Sequence, residues 1–281
     1  MSIEVIPSGQ ACGAQVRGVD LRKPLSKDEI TEITQAWAEH HVLAFPDQQI
    51  TDDDLETFTQ YFGKLNDDPF FRPIQGRRYI AAIARHAEEK TAIFAEGWHS
   101  DWSFKEKPPI GTCLKGIIIP PHGGDTLFAN QHLAYSNLPA ELKEKIEHLT
   151  AIHSAVRAYS PDGLYGKPDP TANSAMQPII SDEARATQPH PLVITHPANG
   201  RKAIYGCFGY TLGIAGMEQK EAEALLIELH AWQTSEANVY RHQWRENMLI
   251  MWDNRSVLHR ATGGFEGHER LLHRTTIWPA N

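Results

Sequence analysis

Gly97-Trp98-His99-Ser100-Asp101-Trp102-Ser103-Phe104 is the stretch on which fold and chemistry both turn. Its aromatic and small side chains read as an extended strand entering a pocket. In a strand, residues i and i+2 point to one face. His99 and Asp101 therefore project together, an imidazole and a carboxylate in apolar company. Buried polar groups need partners, and a shared metal ion is one way to supply them. The plain alternative is a structural His–Asp hydrogen bond.

The local pattern is common. With 15 histidines and 35 acids in 281 residues, chance alone gives about two His-x-acid pairs. The chain holds two. The other, His86-Ala87-Glu88, opens the polar run His86-Ala87-Glu88-Glu89-Lys90, which reads as a solvated loop. What separates the first from the second lies far downstream. Asp253-Asn254-Arg255-Ser256-Val257-Leu258-His259-Arg260 reads as a turn after an apolar strand, then a second strand ending at His259. Two histidines and one carboxylate on one side of an ion, with positions left open, form the facial triad of non-haem Fe(II) oxygenases. Arg270 and Arg274 follow, four residues apart, so on a strand they share a face. A guanidinium fork suits a two-pronged grip on a carboxylate. The alternative, two surface arginines, is weakened by the apolar Thr275-Thr276-Ile277-Trp278 that they lead into.

Outward from these segments the chain reads as many short strands with a few helices. Ser26 with Glu29 three residues later is a capping box and marks one helix start, predicted over about 27–40. Thr51-Asp52-Asp53-Asp54, with acids in the first turn, opens a second, from 51 to Gly63. Helices are also expected from Pro139 to about 149 and over 217–232. Strands are expected at 3–6, 42–45, 79–83, 112–119, 126–128, 192–196, 202–208, 239–244, 248–252, 257–259 and 275–278. Asn199-Gly200 predicts a hairpin between two of them. The Pro- and Ser-rich segment at about 159–189 reads as a lid or insertion over a site. No linker divides the chain, so one domain over 1–281 is expected. No Gly-x-Gly-x-x-Gly follows a strand, so a dinucleotide fold is not supported. The fold class is mainly β with flanking helices (α+β), a sandwich or jelly-roll core with helices outside.

Totals exclude some functions. The net charge of −8 argues against nucleic acid as the partner. Cys12, Cys113 and Cys207 are scattered and form no Cys-x-x-Cys, so neither a disulfide framework nor a zinc knuckle is expected. The opening Met-Ser-Ile-Glu-Val-Ile-Pro does not read as a secretory signal, and no apolar run is long enough to span a membrane. A cytoplasmic protein acting on a small molecule, without a membrane or nucleic-acid partner, is the resulting expectation.

Four motifs in order make the reading specific. Trp98-His99-Ser100-Asp101-x-Ser103-Phe104, Pro120-Pro121-x-Gly123-Gly124-Asp125-Thr126, Trp252-Asp253-Asn254-Arg255-x-x-x-His259 and Arg270-x-x-x-Arg274-x-Thr276 together resemble the TauD/TfdA family of Fe(II)- and 2-oxoglutarate-dependent dioxygenases. The resemblance runs from about residue 16 to 277. It implies a double-stranded β-helix, jelly-roll and cupin-like, with iron at its mouth. It implies His99, Asp101 and His259 as iron ligands, Thr126 and Arg270 on the far carboxylate of 2-oxoglutarate, and Arg274 near substrate anions. It also implies O₂ as the second co-substrate, release of 2-oxoglutarate as succinate and CO₂, and hydroxylation of an aliphatic C–H. The expected substrate is an aryloxyalkanoate, alkyl sulfate, sulfonate or similar acid, and the expected assembly a homo-oligomer, dimer or tetramer. Taurine-type members carry Phe-Gly-x-Leu-x-x-His-Pro. Here Phe62-Gly63-Lys64-Leu65-Asn66-Asp67-Asp68-Pro69 puts Asp68 at the histidine, and Ala95 stands where they have Asn, which weighs against taurine. Asp68 reads either as a substrate contact or, beside Asp67, as a solvated loop. Trp102, Phe208 and Tyr210 are candidate pocket walls against the alternative that they are core. The competing functions are a non-catalytic metal-binding β-barrel used for interaction, and a zinc hydrolase. Neither needs an arginine pair.

Overall fold

The computed structural model describes residues 3–167 and 173–280. In chain order the strands are β1 (Glu4–Pro7), β2 (Ala14–Arg17), β3 (Val42–Phe45), β4 (Ala81–Arg85), β5 (Gly111–Ile118), β6 (Thr126–Asn130), β7 (Thr150–Ser154), β8 (Thr187–Pro191), β9 (Val193–Thr195), β10 (Lys202–Ile204), β11 (Thr211–Ile214), β12 (Val239–His242), β13 (Leu249–Asp253), β14 (Val257–Ala261) and β15 (Arg270–Ile277). The helices are α1 (Lys27–His40), α2 (Asp52–Gln60), α3 (Gln131–Asn137), α4 (Ala140–Ile146), α5 (Val156–Tyr159) and α6 (Gln219–Gln233).

Seven strands form the main sheet in the order β1-β2-β3-β13-β5-β15-β4. Central β13 pairs with β3 on one side and β5 on the other, and all five of its residues are buried. A strand covered on both faces reads as a continuous apolar run, and Leu249-Ile250-Met251-Trp252 is one. Its alternate side chains serve two cores. Leu249 and Met251 pack with Ile33 and Trp37 of α1 and Leu55 and Phe58 of α2. Ile250 and Trp252 pack with Phe128 of β6 and Val257 of β14. Those strands belong to a second sheet, β12-β6-β14. The two sheets thus face each other across Phe128 and Trp252, whose rings lie 5.5 Å apart. This is the mainly-β jelly-roll expected from the sequence. The capping box expected at Ser26 and Glu29 forms, and Thr51 and Asp54 make a second one at the start of α2. The hairpin predicted at Asn199-Gly200 joins β9 to β10. Among the described residues, no helix is long and apolar enough to cross a membrane.

Several expectations shift. The described residues hold fifteen strands and six α-helices, against about ten and four expected. β8 was hidden by its two prolines, which are tolerated because it is an edge strand beside β7. α3 was hidden by the lack of an apolar stripe; the Asn130 side chain caps it. The strand expected at 79–83 lies two residues later as β4. The helix after Pro139 ends at Ile146, three residues early. The polar run from His86 is only partly solvated. The Glu89 side chain is buried and accepts hydrogen bonds from the Ser174 hydroxyl and the Ala175 backbone N–H. The expected lid at about 159–189 includes residues 168–172, which lie outside those described. Its described parts are not structureless. Tyr159, Met176 and Ala184 are buried in an aromatic cluster with Phe70, Trp102 and Tyr210.

Candidate active site

The opening stretch is not a strand. His99 makes one isolated bridge to His259, with His99 N–H donating to His259 O at 3.0 Å and the reciprocal bond at 2.7 Å. The chain then turns at 101–104, with Trp102 at a left-handed φ of 51°. The consequence expected from a strand still follows, by another route. The bridge sets the two imidazoles side by side, 4.2 Å between ring centroids, and the turn brings Asp101 beneath them. Asp101 Oδ1 lies 3.9 Å from His99 Nε2 and 3.8 Å from His259 Nε2. These distances are too long for hydrogen bonds and suit three ligands around one ion. Among the described residues this is the group of His, Cys, Asp or Glu side chains placed to hold a metal, its ligand atoms all within 4.8 Å of one another.

Each ligand is prepared for that role. The Gly97 carbonyl can only accept, so His99 Nδ1, 2.8 Å away, carries the proton and the Nε2 lone pair is left for a metal. Burial, then the neighbouring His99, lower the His259 pKa to about 3, so its imidazole is neutral at physiological pH. Burial opposes ionisation of Asp101. His259, Arg274 and His99, with the Thr112 hydroxyl, outweigh it and hold the carboxyl below its ordinary pKa. Thr112 donates to Asp101 Oδ2 at 2.6 Å, and Asn254 Nδ2 donates to the Thr112 oxygen at 3.1 Å. Trp252 Nε1 in turn holds Asn254 Oδ1 at 2.9 Å. Ser100 Oγ donates to the Asn254 carbonyl at 2.7 Å, tying the two segments together. Asn254 was read only as a position of the Trp252-Asp253-Asn254-Arg255 motif, without this role, and Thr112 was not singled out; its one available signal was a lone hydroxyl on the Leu114 face of β5.

Behind the triad the two sheets enclose a small pocket of about 60 Å³, lined by His99, Asp101, His259, Thr126, Arg270 and Arg274, among others. Arg270 and Arg274 do share the inner face of β15. Arg270 Nη2 donates to the Gly124 carbonyl at 3.2 Å, and its Nε has no partner among the described residues. Gly124 is glycine for a reason: its φ is +67°, and a Cβ there would press on the Arg270 side chain at 3.3 Å. Thr126 accepts from Trp244 Nε1 at 3.0 Å, and Arg270 stands over the Trp244 ring. Burial lowers the Arg270 pKa to about 10, only partly offset by Asp125. The pocket thus holds a cation with no carboxylate in contact among the described residues.

The remaining candidates divide. Trp102 and Tyr210 are both buried and line the pocket. Phe208 is not core: it is 37% exposed and lines an outer basin of about 440 Å³. That basin shares Phe94, Ala95, His99, Tyr159 and Tyr210 with the inner pocket, so it opens onto the triad. Asp68 is not on a solvated loop. Its side chain is 10% exposed and pairs with Arg274. The neighbouring Asp67 is the solvated one, held by Arg78.

Residues 4–276 match the model of the taurine catabolism dioxygenase TauD, TfdA family. An alkylsulfatase of Acinetobacter baylyi is 32% identical over 267 residues, covering 94% of this chain and 81% of that protein. The alpha-ketoglutarate-dependent 2,4-dichlorophenoxyacetate dioxygenase of Cupriavidus pinatubonensis is 32% identical over 293 residues, 98% of each chain. The crystal structure of AAD-2 in complex with Mn(II) and N-oxalylglycine superposes with a TM-score of 0.80 at 28% identity, covering 100% of this chain and 98% of that one.

Proposed function

Because the chain belongs to the TauD/TfdA family of 2-oxoglutarate (alpha-ketoglutarate)-dependent dioxygenases, we propose that His99, Asp101 and His259 hold its Fe(II), and that Thr126 and Arg270 hold the far carboxylate of 2-oxoglutarate. The enzyme uses Fe(II), 2-oxoglutarate and O₂, and couples decarboxylation to succinate and CO₂ with hydroxylation of an aliphatic C–H. The non-catalytic reading does not fit these relatives. The observation that carries the residue assignment is Arg270, a buried cation with no carboxylate partner among the described residues, in one pocket with a three-ligand cluster. A buried charge left unpaired is costly, and a dicarboxylate reaching from the triad to Arg270 pairs it. N-oxalylglycine, found with Mn(II) in AAD-2, has the skeleton of 2-oxoglutarate with N–H in place of one methylene.

Iron supplies the redox chemistry when bound. The chain's own residues do the positioning. Thr112 occupies Asp101 Oδ2 and leaves Oδ1 toward the two Nε2 atoms. We assign the substrate to small organic acids with an apolar body: aryloxyalkanoates, alkyl sulfates, sulfonates and their like. The aromatic outer basin takes the body, and Arg274, Trp102 and Tyr210 meet the end nearest the iron. The described part of the segment at 159–189 contributes Tyr159, Leu164 and Tyr165 to that basin, as a lid over a site would, and residues 1–281 act as one domain. A homo-oligomer, dimer or tetramer, in the cytoplasm completes the proposal; the three cysteines are free and buried, as a reducing compartment permits.

Under anaerobic conditions, protein with Fe(II) and 2-oxoglutarate should develop a weak visible charge-transfer band. No band, with no 2-oxoglutarate binding by calorimetry, would defeat the assignment. Asp101→Ala should abolish succinate release across a panel of these acids, and unimpaired turnover would remove Asp101 from the iron shell.

A further inference from the structure

Asp68 stands behind Arg274 rather than in the pocket, whose lining includes the arginine but not the acid. Asp68 Oδ1 accepts the backbone N–H groups of Phe70 and Phe71, each at 3.0 Å. Its Oδ2 accepts from Arg274 Nη2. Three donors fix this carboxylate in place. The guanidinium is further held near the rings of Phe71 and Trp102, 5.2 and 5.1 Å from their centroids. Among the described residues, one Nη2 bond leaves most of its five N–H donors uncommitted, and its Nε has no partner. Arg274 therefore presents donors to the pocket with its charge already answered. A fixed carboxylate repels whatever anion the arginine attracts, while a neutral acceptor on the same donors loses little.

We infer that Asp68 is a specificity-determining positioning residue: by holding and neutralising Arg274 it makes the head-group end of the substrate site indifferent to charge. The substrate is then selected by its apolar body in the aromatic basin. Its polar end is an acid or an uncharged acceptor such as an amide, ester or hydroxyl. The inference rests on the proposed function and widens its substrate class.

The test is anaerobic calorimetry on the full chain loaded with Fe(II) and 2-oxoglutarate, with phenoxyacetate and phenoxyacetamide as probes. They share one body and differ in charge. The wild type should bind the two within about threefold of each other. Asp68→Asn should bind phenoxyacetate at least about tenfold more tightly than wild type, with the amide unchanged. Asp68→Glu, which keeps the carboxylate, should keep the wild-type ratio. A wild type that prefers phenoxyacetate by about tenfold or more overturns the inference, and that measurement needs no variant to fold. So does an Asn variant that gains nothing for the acid. If the wild type binds neither probe, gain of phenoxyacetate by the Asn variant carries the inference and its absence ends it. 2-Oxoglutarate binding in the same samples separates the two failures. Its loss in the wild type defeats the reaction assignment, while its presence with a charge-selective wild type defeats only the role of Asp68.

Discussion

Arg270 and Arg274 lie four residues apart on one face of one strand, equally hidden at 7% and 6% exposure. Their electrostatic situations are opposite. Burial lowers the pKa of Arg270; Asp125 offsets this only in part, and no carboxylate among the described residues touches the guanidinium. Burial acts on Arg274 too, but Asp68 and Asp101 outweigh it and raise the pKa above the ordinary value. The difference teaches where the protein ends and its ligand begins. A buried charge that the chain leaves unanswered marks a place for a counter-charge from outside. A buried charge answered from within marks a place where hydrogen bonding and shape decide.

The sharpest way to break this contrast is to remove each arginine in turn. Arg270→Gln should weaken 2-oxoglutarate binding by about a hundredfold or more, as expected when one partner of a buried charge pair is truncated. Iron binding should be unaffected. The ligand-free protein should be no less stable than wild type, because the substitution deletes an uncompensated charge. Calorimetry and thermal unfolding of one sample check both halves. Loss of stability without loss of co-substrate affinity would show that Arg270 is structural.

Arg274→Gln should do the reverse. It strands Asp68 in a buried setting, which costs on the order of 3 kcal/mol of stability. 2-Oxoglutarate affinity should stay within about threefold, since the dicarboxylate rests on Arg270. Adding Asp68→Asn to this variant should recover most of the loss, and denaturant unfolding of the single and double variants measures it. A double variant less stable than Arg274→Gln alone would mean that Asp68 is held by its two backbone donors and owes little to the arginine.

The contrast also shows what was legible in the sequence. Both helix starts were, because a capping box and acids in the first turn are local signals. So was β13, because burial on both faces leaves an apolar run. The triad was legible from four motifs in order, although His99-Ser100-Asp101 alone was a pair at the chance rate. The shared face of the arginines followed from strand periodicity. Their difference did not, because Asp68 reaches Arg274 across 206 residues of chain, and Asp67 beside it made the segment look solvated. Asp67 does face water; its neighbour turns inward to cap the Phe70 and Phe71 N–H groups. The Trp252–Asn254–Thr112–Asp101 chain of bonds was hidden for the same reason. Hydrogen bonds between distant segments leave no period in the sequence.

A third buried site tests whether an unanswered charge is what distinguishes Arg270. An arginine cannot shed its proton at physiological pH, so it waits for a ligand. A histidine in the same position can simply stay neutral. His41 is fully buried, neither ring nitrogen has a partner among the described residues, and its ring lies 4.7 Å from that of His132. Burial, then the neighbouring His132, lower its pKa from 6.5 to about 3. The unfolded chain therefore binds the proton more tightly, and stability falls as the pH drops from 6.5 toward about 3. At pH 5 the loss from His41 alone should be about 2 kcal/mol relative to pH 7. His41→Asn should flatten that slope. Asn accepts the left-handed φ of 66° that this residue adopts at the end of α1, so the helix cap survives the change. Urea unfolding of both proteins between pH 7 and pH 5 reads the effect. If the two slopes coincide, the proton goes elsewhere, and His132, whose pKa burial lowers to about 4, becomes the group to replace.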